Sequence, residues 1–498
     1  MATQYILSID QGTTSTRALL IDRDLNVLAK GNHEFPQYFP KEGWVEHDGE
    51  EIWDSTVQSI RDALAHAKID PKKIAGVGIT NQRETTLLWE RATGKLLHKA
   101  IVWQDRRTAE RCRQLKSQNL EKLIQKKTGL VCDPYFSATK LEWLLDNVPG
   151  ARGRAEKGDL AFGTIDSYLL WRLTGGAQGA GAIHATDATN ASRTMLFNLE
   201  TLQWDEELLK IFRIPSAILP KIVPNAARYG ETKNVPGLPD GIPIAGMAGD
   251  QQAALIGQAC FEAGEAKCTY GTGSFILINI GHEPKPSQYG CLTTLAYQLE
   301  GQATYAWEGS AFIAGAAVQW LRDGLKIIQK SSDVEALARQ VPDSGGVTFV
   351  PALVGLGAPH WNPNARGILT GLSRATTSAH IARATLEGIA FLQYDILEAM
   401  SKDLGKSLTV LKVDGGAAGN NLLMQFQSDI LQVPILRPAM LETTALGAAF
   451  LAGLGVGFWK NIQDIRKSWR EEKRFSPSLS KKVRDLKIEK WRATLTKA

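Results

Sequence analysis

The segment 78–90, GITNQRETTLLWE, sets Arg83 and Glu84 side by side between an apolar lead-in and the apolar Leu87, Leu88 and Trp89. On a continuous strand two neighbours point to opposite faces. Two readings are open. The pair is a solvated charge pair on a surface hairpin, or the strand ends here and a broken backbone aims both charges at one small polar ligand.

Other stretches could hold phosphate. DQGTTSTR (10–17) follows a strand. Gly12 permits a tight turn, and Thr13, Thr14 and Ser15 offer a dense set of amide and hydroxyl donors. Arg17 adds positive charge, and Asp10 at the strand end could stand beside a hydrated Mg²⁺. YGTGS (270–274) repeats the device. Successive backbone N–H groups in such turns form an anion-binding concavity, although either hairpin alone also reads as an ordinary turn. In KVDGGAAGNN the paired Gly415 and Gly416 let backbone approach a flat ligand closely; an ordinary Gly-rich helix entry reads the same way. In GMAGDQQAALIG, Asp250 is either an N-cap or a carboxylate placed to accept a hydroxyl proton as a phosphoryl group arrives.

Familiar alternatives are missing from the sequence. It has no G-x-x-x-x-G-K-S/T, no early G-x-G-x-x-G between a strand and a helix, and no H-E-x-x-H. Five cysteines without a C-x-x-C pair indicate neither a zinc ribbon nor a disulfide framework and suit a reducing cytoplasm. MATQYILSIDQG has no basic leader and an interrupting Asp10, which argues against a secretory signal. The uncharged run Thr443–Trp459 is shorter than the ~20 residues of a membrane helix and reads as a buried, closely packed helix. The net charge of +5 arises in residues 460–498, where thirteen Lys or Arg face five Asp or Glu. A basic terminal helix of this kind is expected to be a solvated face rather than a nucleic-acid site.

These residues need an α/β frame of more than one domain, given 498 residues. Strands are expected at Tyr5–Ile9, Arg17–Asp22 and Asn26–Gly31 as a meander, and at Ile74–Thr80 and Leu411–Val413. Helices are expected at Glu50–Lys68, Thr108–Thr128, Ala138–Asn147 and from about Asn420. NVPGLPDGIP (234–243) reads as a surface loop, and GGAQGAGA (175–182) as a turn-rich insertion. The 264–281 region resembles the chain start, strand–turn–strand, which suggests two domains of similar plan: 1–253, and 254–498 with the basic tail.

Together the stretches IDQGTTSTR, TNQRETT, VWQDRR, DATNASRTMLFN, GDQQAALIG, YGTGSF, EGSAFIAGAAVQWLRDG and VDGGAAGNNLLMQFQSDIL resemble, in order and over residues 4–459, the FGGY carbohydrate kinases of the actin/Hsp70/hexokinase superfamily. The resemblance is greatest to members that phosphorylate glycerol. It implies two actin-like (ribonuclease H-like) domains, each with a mixed five-stranded sheet flanked by helices, and a cleft holding ATP, Mg²⁺ and glycerol. It implies Asp250 as general base, with Arg83, Glu84, Tyr135, Asp250 and Gln251 on the glycerol hydroxyls and Trp103 and Phe275 against its carbons. Thr13, Thr14, Ser15 and Arg17 would hold one side of the nucleotide phosphates and Thr272 the other. Gly315, Gln319, Gly416 and Asn420 would line the nucleotide pocket, and Asp10, with Asp250, would position Mg²⁺ partly through water. For Arg83 and Glu84 both to face the cleft, the strand must break near Thr80. A homo-oligomer, dimer or tetramer, is also implied, with no nucleic-acid partner and no membrane span. Some bacterial members are inhibited by fructose 1,6-bisphosphate through an Arg-ended loop, and others are activated at a phosphorylated His. Here Gly241 and Ala227 stand at those places, so neither control is expected. Two other functions stay open: a family member acting on a ketopentose, against which the charged NQRETT segment argues, and an actin- or Hsp70-like ATPase outside metabolism, which shares the fold.

Overall fold

The computed structural model describes residues 4–178 and 181–498. Two sheets carry the same five-strand plan. In the first, Tyr5–Gln11 pairs antiparallel with Ser15–Ile21, which pairs antiparallel with Val27–Glu34; on the other side Tyr5–Gln11 runs parallel to Ile74–Asn81, and that strand parallel to Pro243–Gly249. In the second, Ala266–Tyr270 takes the central place, antiparallel to Ser274–Gly281 and then Gln302–Ala311, and parallel to Leu411–Asp414 and then Ile435–Pro438. The sheets are not five-stranded, however. Ala226–Glu231 adds an antiparallel edge to the first, making six, and Leu292–Leu299 and Glu471–Phe475 extend the second to seven. Each added strand covers an edge that would otherwise present unpaired backbone groups.

Both central strands turn back through the Gly/Thr/Ser hairpins. Gly12 N–H donates to Ser15 O at 2.9 Å, and Gly271 N–H to Gly273 O at 2.8 Å. The central strands are buried along nearly their whole length, as parallel strands covered on both faces must be.

Helix Gly49–Ala67 lies where expected, capped by Asp48, which accepts from Glu50 N–H at 3.0 Å. The expected single helix over 108–128 is two, Ala109–Ser117 and Glu121–Thr128. Asn119 between them takes φ +59°, a left-handed conformation that stops the first helix. Loop 234–243 is irregular, and Asp240 accepts from Asn234 N–H at 2.8 Å. In the 175–182 insertion, Gly176–Gln178 is a single 3₁₀ turn and residues 179–180 lie outside the described residues.

The basic tail is more than a solvated face. Glu471–Phe475 is the sheet edge already described, and helix Lys481–Leu495 buries Trp491, stacked on Phe391 at 5.0 Å and 11°. Its cations meet carboxylates, Lys487 on Glu387 and Arg492 on Glu398 among them. No helix among the described residues is long and apolar enough to cross a membrane.

Helix Thr443–Gly455 sits in the seam between the halves, buried through most of its length. It packs on helix Asp250–Gly257 and on the first sheet at backbone contact. A Cβ added to Gly447 would lie 1.8 Å from Ala253 O, and one on Gly78 would lie 2.2 Å from Ala448 O. The Gly/Ala composition is the condition for this approach.

Candidate active site

The strand leading to Arg83 breaks near Thr80, as expected: it ends at Asn81, and Arg83 and Glu84 follow in a turn where Glu84 takes φ +60°, rare for a residue with a side chain. Thr85 N–H donates to Arg83 O at 2.8 Å, closing a tight turn, and Ser137 and Thr86 hydroxyls both donate to Glu84 O at 3.1 Å. This held, strained turn brings both charges to one side, where they are almost wholly buried.

They meet partners distant in sequence. Arg83 donates to Glu308 Oε2 at 2.5 Å and Oε1 at 3.1 Å, to Tyr135 Oη at 3.3 Å and Gln252 Oε1 at 3.2 Å, and its Nε is 3.1 Å from Asp250 Oδ1. Arg193 bridges Glu84 Oε1 at 2.7 Å and Glu308 Oε1 at 2.8 Å. Two guanidinium groups and two carboxylates thus offset one another in a buried tetrad. Glu308 comes from the second sheet and the other three from the first half. Burial would raise the pKa of Glu308, but Arg193 and Arg83 outweigh it and hold it at about 2. Burial raises that of Glu84 despite the same two cations. Sequence reasoning assigned no role to Arg193 or Glu308. The available signal was that each is the one charge in a long uncharged run, 188–199 and 301–321.

Asp250 opens helix Asp250–Gly257 as its first residue, after Gly249, rather than capping it. Its Oδ1 accepts from Gln251 N–H at 2.7 Å, and its side chain keeps 31% exposure, unlike the sealed tetrad. The rings of Trp103, Tyr135 and Phe275 wall the same space. Trp103 stands edge-on to Tyr135 at 5.7 Å and to Phe275 at 6.3 Å, and the Arg83 guanidinium lies 5.9 Å from the Phe275 ring centre. Trp103 Nε1–H donates to Thr13 Oγ1 at 3.0 Å, tying this wall to the first hairpin. Arg83, Glu84, Trp103, Tyr135, Asp250, Gln251 and Phe275 are therefore one cluster.

On the first hairpin Thr13, Thr14 and Ser15 follow Gly12 with at least partial exposure. Arg17 donates from Nη1 to Glu442 Oε2 at 2.7 Å and stands 3.9 Å from Asp10, with 39% of its side chain exposed. Asp10 itself is buried. Burial, with help from Glu442 and Asp250 and against Arg17, pushes its pKa up to about 6. Across the seam, a cavity of about 470 Å³ is lined by Thr272, Gly315, Gln319, Gly416 and Asn420, with Tyr270 and Leu386 among its other walls. A Cβ on Gly416 would meet nothing within 4 Å, so this glycine leaves open space for a ligand, and one on Gly315 would strike Gly271 O at 2.6 Å.

Among the described residues no three His, Cys, Asp or Glu side chains are grouped to hold a metal by themselves. Asp10 and Asp250 fit a different arrangement. Magnesium keeps several waters and uses one or two carboxylates plus phosphate oxygens, and a buried carboxylate with a raised pKa has an unmet demand for positive charge.

The profile for the N-terminal domain of the FGGY family of carbohydrate kinases matches residues 5–257, and that for the C-terminal domain matches 266–456. The chain is 56% identical over 497 residues to a glycerol kinase of Myxococcus xanthus (strain DK1622), covering 99% of each chain. It is 57% identical over 496 residues to one from Deinococcus radiodurans, covering 99% of this chain and 97% of that one. The fold superposes on a crystal structure of Plasmodium falciparum glycerol kinase with ADP at a TM-score of 0.90 and 40% identity, over 99% of this chain and 98% of that one.

Proposed function

Because the chain belongs to the FGGY family of carbohydrate kinases, we propose that the buried charged cluster binds glycerol and that the chain transfers the γ-phosphoryl group of ATP to a terminal glycerol hydroxyl. The observation that carries the substrate is the pairing of Arg83, Glu84, Asp250 and Gln251 with the three aromatic rings in one small space. Glycerol has six heavy atoms, and at ~1.5 kcal/mol per atom at best its binding is limited to about −9 kcal/mol. Nearly every hydroxyl must then be hydrogen-bonded, and charged partners make the stronger bonds. The tetrad holds Arg83 and Glu84 in place before the substrate arrives.

Asp250 acts as the base. Its Oδ1 is engaged by Gln251 N–H and faces Arg83 Nε, while its exposure leaves the carboxylate accessible from the cleft. It takes the proton as the substrate oxygen forms its bond to phosphorus and the bond to the ADP oxygen breaks. Thr272, Gly315, Gln319, Gly416 and Asn420 hold the nucleotide in the 470 Å³ cavity, and Thr13, Thr14 and Ser15 donate to its phosphates from the opposite hairpin. Arg17 serves that hairpin indirectly, by balancing Asp10 and Glu442. Asp10 and Asp250 would hold Mg²⁺, partly through water, and the bound ion would supply positive charge against the phosphates. The same reading places a homo-oligomeric enzyme in the cytoplasm; five buried free cysteines suit a reducing compartment.

The test is coupled ADP release across a panel of polyols and ketoses. Release dependent on glycerol and weak with ketopentoses is expected. Release without any acceptor, or fastest with a ketopentose, overturns the substrate assignment.

A further inference from the structure

Lys267, on the central strand of the second sheet, has no exposed surface. Its ammonium donates to Gln251 Oε1 at 2.5 Å and to Thr269 Oγ1 at 2.9 Å. Burial lowers its pKa, and the carboxylates of Asp414 and Asp250 oppose that shift. A buried cation is costly unless it is paired and hydrogen-bonded. Lys412, its neighbour on the adjacent parallel strand, donates instead to Gln258 O and Ala259 O just past the far end of the Asp250–Gly257 helix. The second sheet thus grips both ends of the helix that carries Asp250 and Gln251, and only Lys267 touches a side chain of the cleft.

A glutamine amide has one accepting oxygen and one donating NH₂, and an ammonium can only donate. The oxygen of Gln251 must therefore face Lys267. Its Nε2 is left over; it is not among the buried polar atoms that lack a partner in the described residues. We propose that Lys267 is a positioning residue for substrate recognition: by occupying Gln251 Oε1 it turns Nε2 to the cleft and makes Gln251 a donor only. The proposal rests on the reading of Gln251 as a glycerol ligand. A hydroxyl can donate and accept at once. With Asp250 accepting and Gln251 donating at the start of one helix, neighbouring hydroxyls are met in one orientation. Without Lys267 the amide is free to flip and offer its oxygen, leaving two acceptors facing the same substrate.

Glycerol and ATP kinetics of the full chain test this with Lys267→Met, Gln251→Ala, the double variant and Gln251→Glu. Lys267→Met is expected to raise the glycerol KM at least tenfold while the ATP KM stays within twofold. The double variant is expected to match Gln251→Ala within twofold, because Lys267 acts through that amide. Gln251→Glu keeps the shape and pairs with Lys267, yet replaces the donor by a carboxylate, and should also raise the glycerol KM tenfold. An unchanged glycerol KM in Lys267→Met, or losses that multiply in the double variant, would overturn the proposal. Should circular dichroism show Lys267→Met unfolded, Gln251→Glu decides alone, and a wild-type glycerol KM there is equally fatal. A wild-type glycerol KM in Gln251→Ala would instead remove Gln251 from the glycerol site.

Discussion

Asp250 and its neighbours differ in what they are built to do. The tetrad of Arg83, Glu84, Arg193 and Glu308 is almost wholly buried and charge-balanced, whereas the Asp250 side chain keeps 31% exposure. Replacing Asp250 by Asn removes the proton acceptor and keeps the shape. Turnover should fall by ~10²–10⁴-fold with glycerol affinity little changed; a variant retaining more than about a tenth of wild-type kcat would remove Asp250 from the role of base. A second residue-scale effect concerns His47, which has no exposed surface and pairs through Nε2 with Gln37 Oε1 at 2.6 Å and through Nδ1 with Gln82 Nε2 at 3.3 Å. In the neutral ring Nε2–H donates and Nδ1 accepts, so His47 supports the residue just before Arg83. Burial lowers its pKa to about 3. The unfolded chain takes up the proton below about pH 6.5 and the folded chain does not until about pH 3. Stability is therefore fully present above pH 6.5 and is lost as pH falls between those values, by at most ~1.4 kcal/mol per unit for this group. Urea unfolding at pH 6.5 and 4.5 should show a smaller acid loss in His47→Asn than in wild type, by about 1–2 kcal/mol. Equal losses in the two proteins would exclude His47 as a contributor.

At the scale of elements, the seam depends on helices that touch backbone to backbone. Gly447→Ala would drive a methyl group to within 1.8 Å of Ala253 O, so the helices must separate. Overpacking of this kind costs about 1–3 kcal/mol, and the urea midpoint should fall with little change in slope. Gly153, in the short helix Ala151–Glu156, offers a contrast. A Cβ there meets nothing within 4 Å, and Gly153→Ala should raise stability by about 0.5–1 kcal/mol. Opposite signs for the two substitutions are the expected result; equal effects would show that the seam yields more readily than its distances imply. Helix 109–128 shows a limit of pattern reading. Its helical periodicity runs on through both pieces, but Asn119 is a residue type that accepts a left-handed conformation, and packing chose to use it.

At the scale of the whole molecule, the two Gly/Thr/Ser hairpins belong to different sheets, and the buried charged cluster draws Glu308 and Phe275 from the half opposite to Arg83 and Trp103. A kinase whose acceptor is a small alcohol must keep water from taking that place, which closure around both ligands achieves. Small-angle scattering should show a smaller radius of gyration with glycerol and nucleotide together than with neither. An unchanged radius, with binding measured independently, would count against closure.

The strands of the first meander, the Gly/Thr/Ser hairpins, the Gly49–Ala67 helix and the Gly/Ala-rich seam helix were legible in the sequence, because each rests on local chemistry: short apolar runs bounded by turn residues, helical periodicity, and small side chains where backbones touch. The fold and the positions of Arg83, Glu84 and Asp250 were reached through several short motifs in a fixed order. Three things were decided only by the tertiary structure. One is the turn at Glu84, held by Ser137 and Thr86 hydroxyls. Another is the partnering of Arg17 with Glu442, across 425 residues. The third is the recruitment of Arg193, Glu308 and Lys267 into the cleft. A lone charge in an apolar run announces that it must be paired, because an unpaired buried charge is too costly to keep. It does not announce its partner, since that depends on which strands the sheets bring side by side.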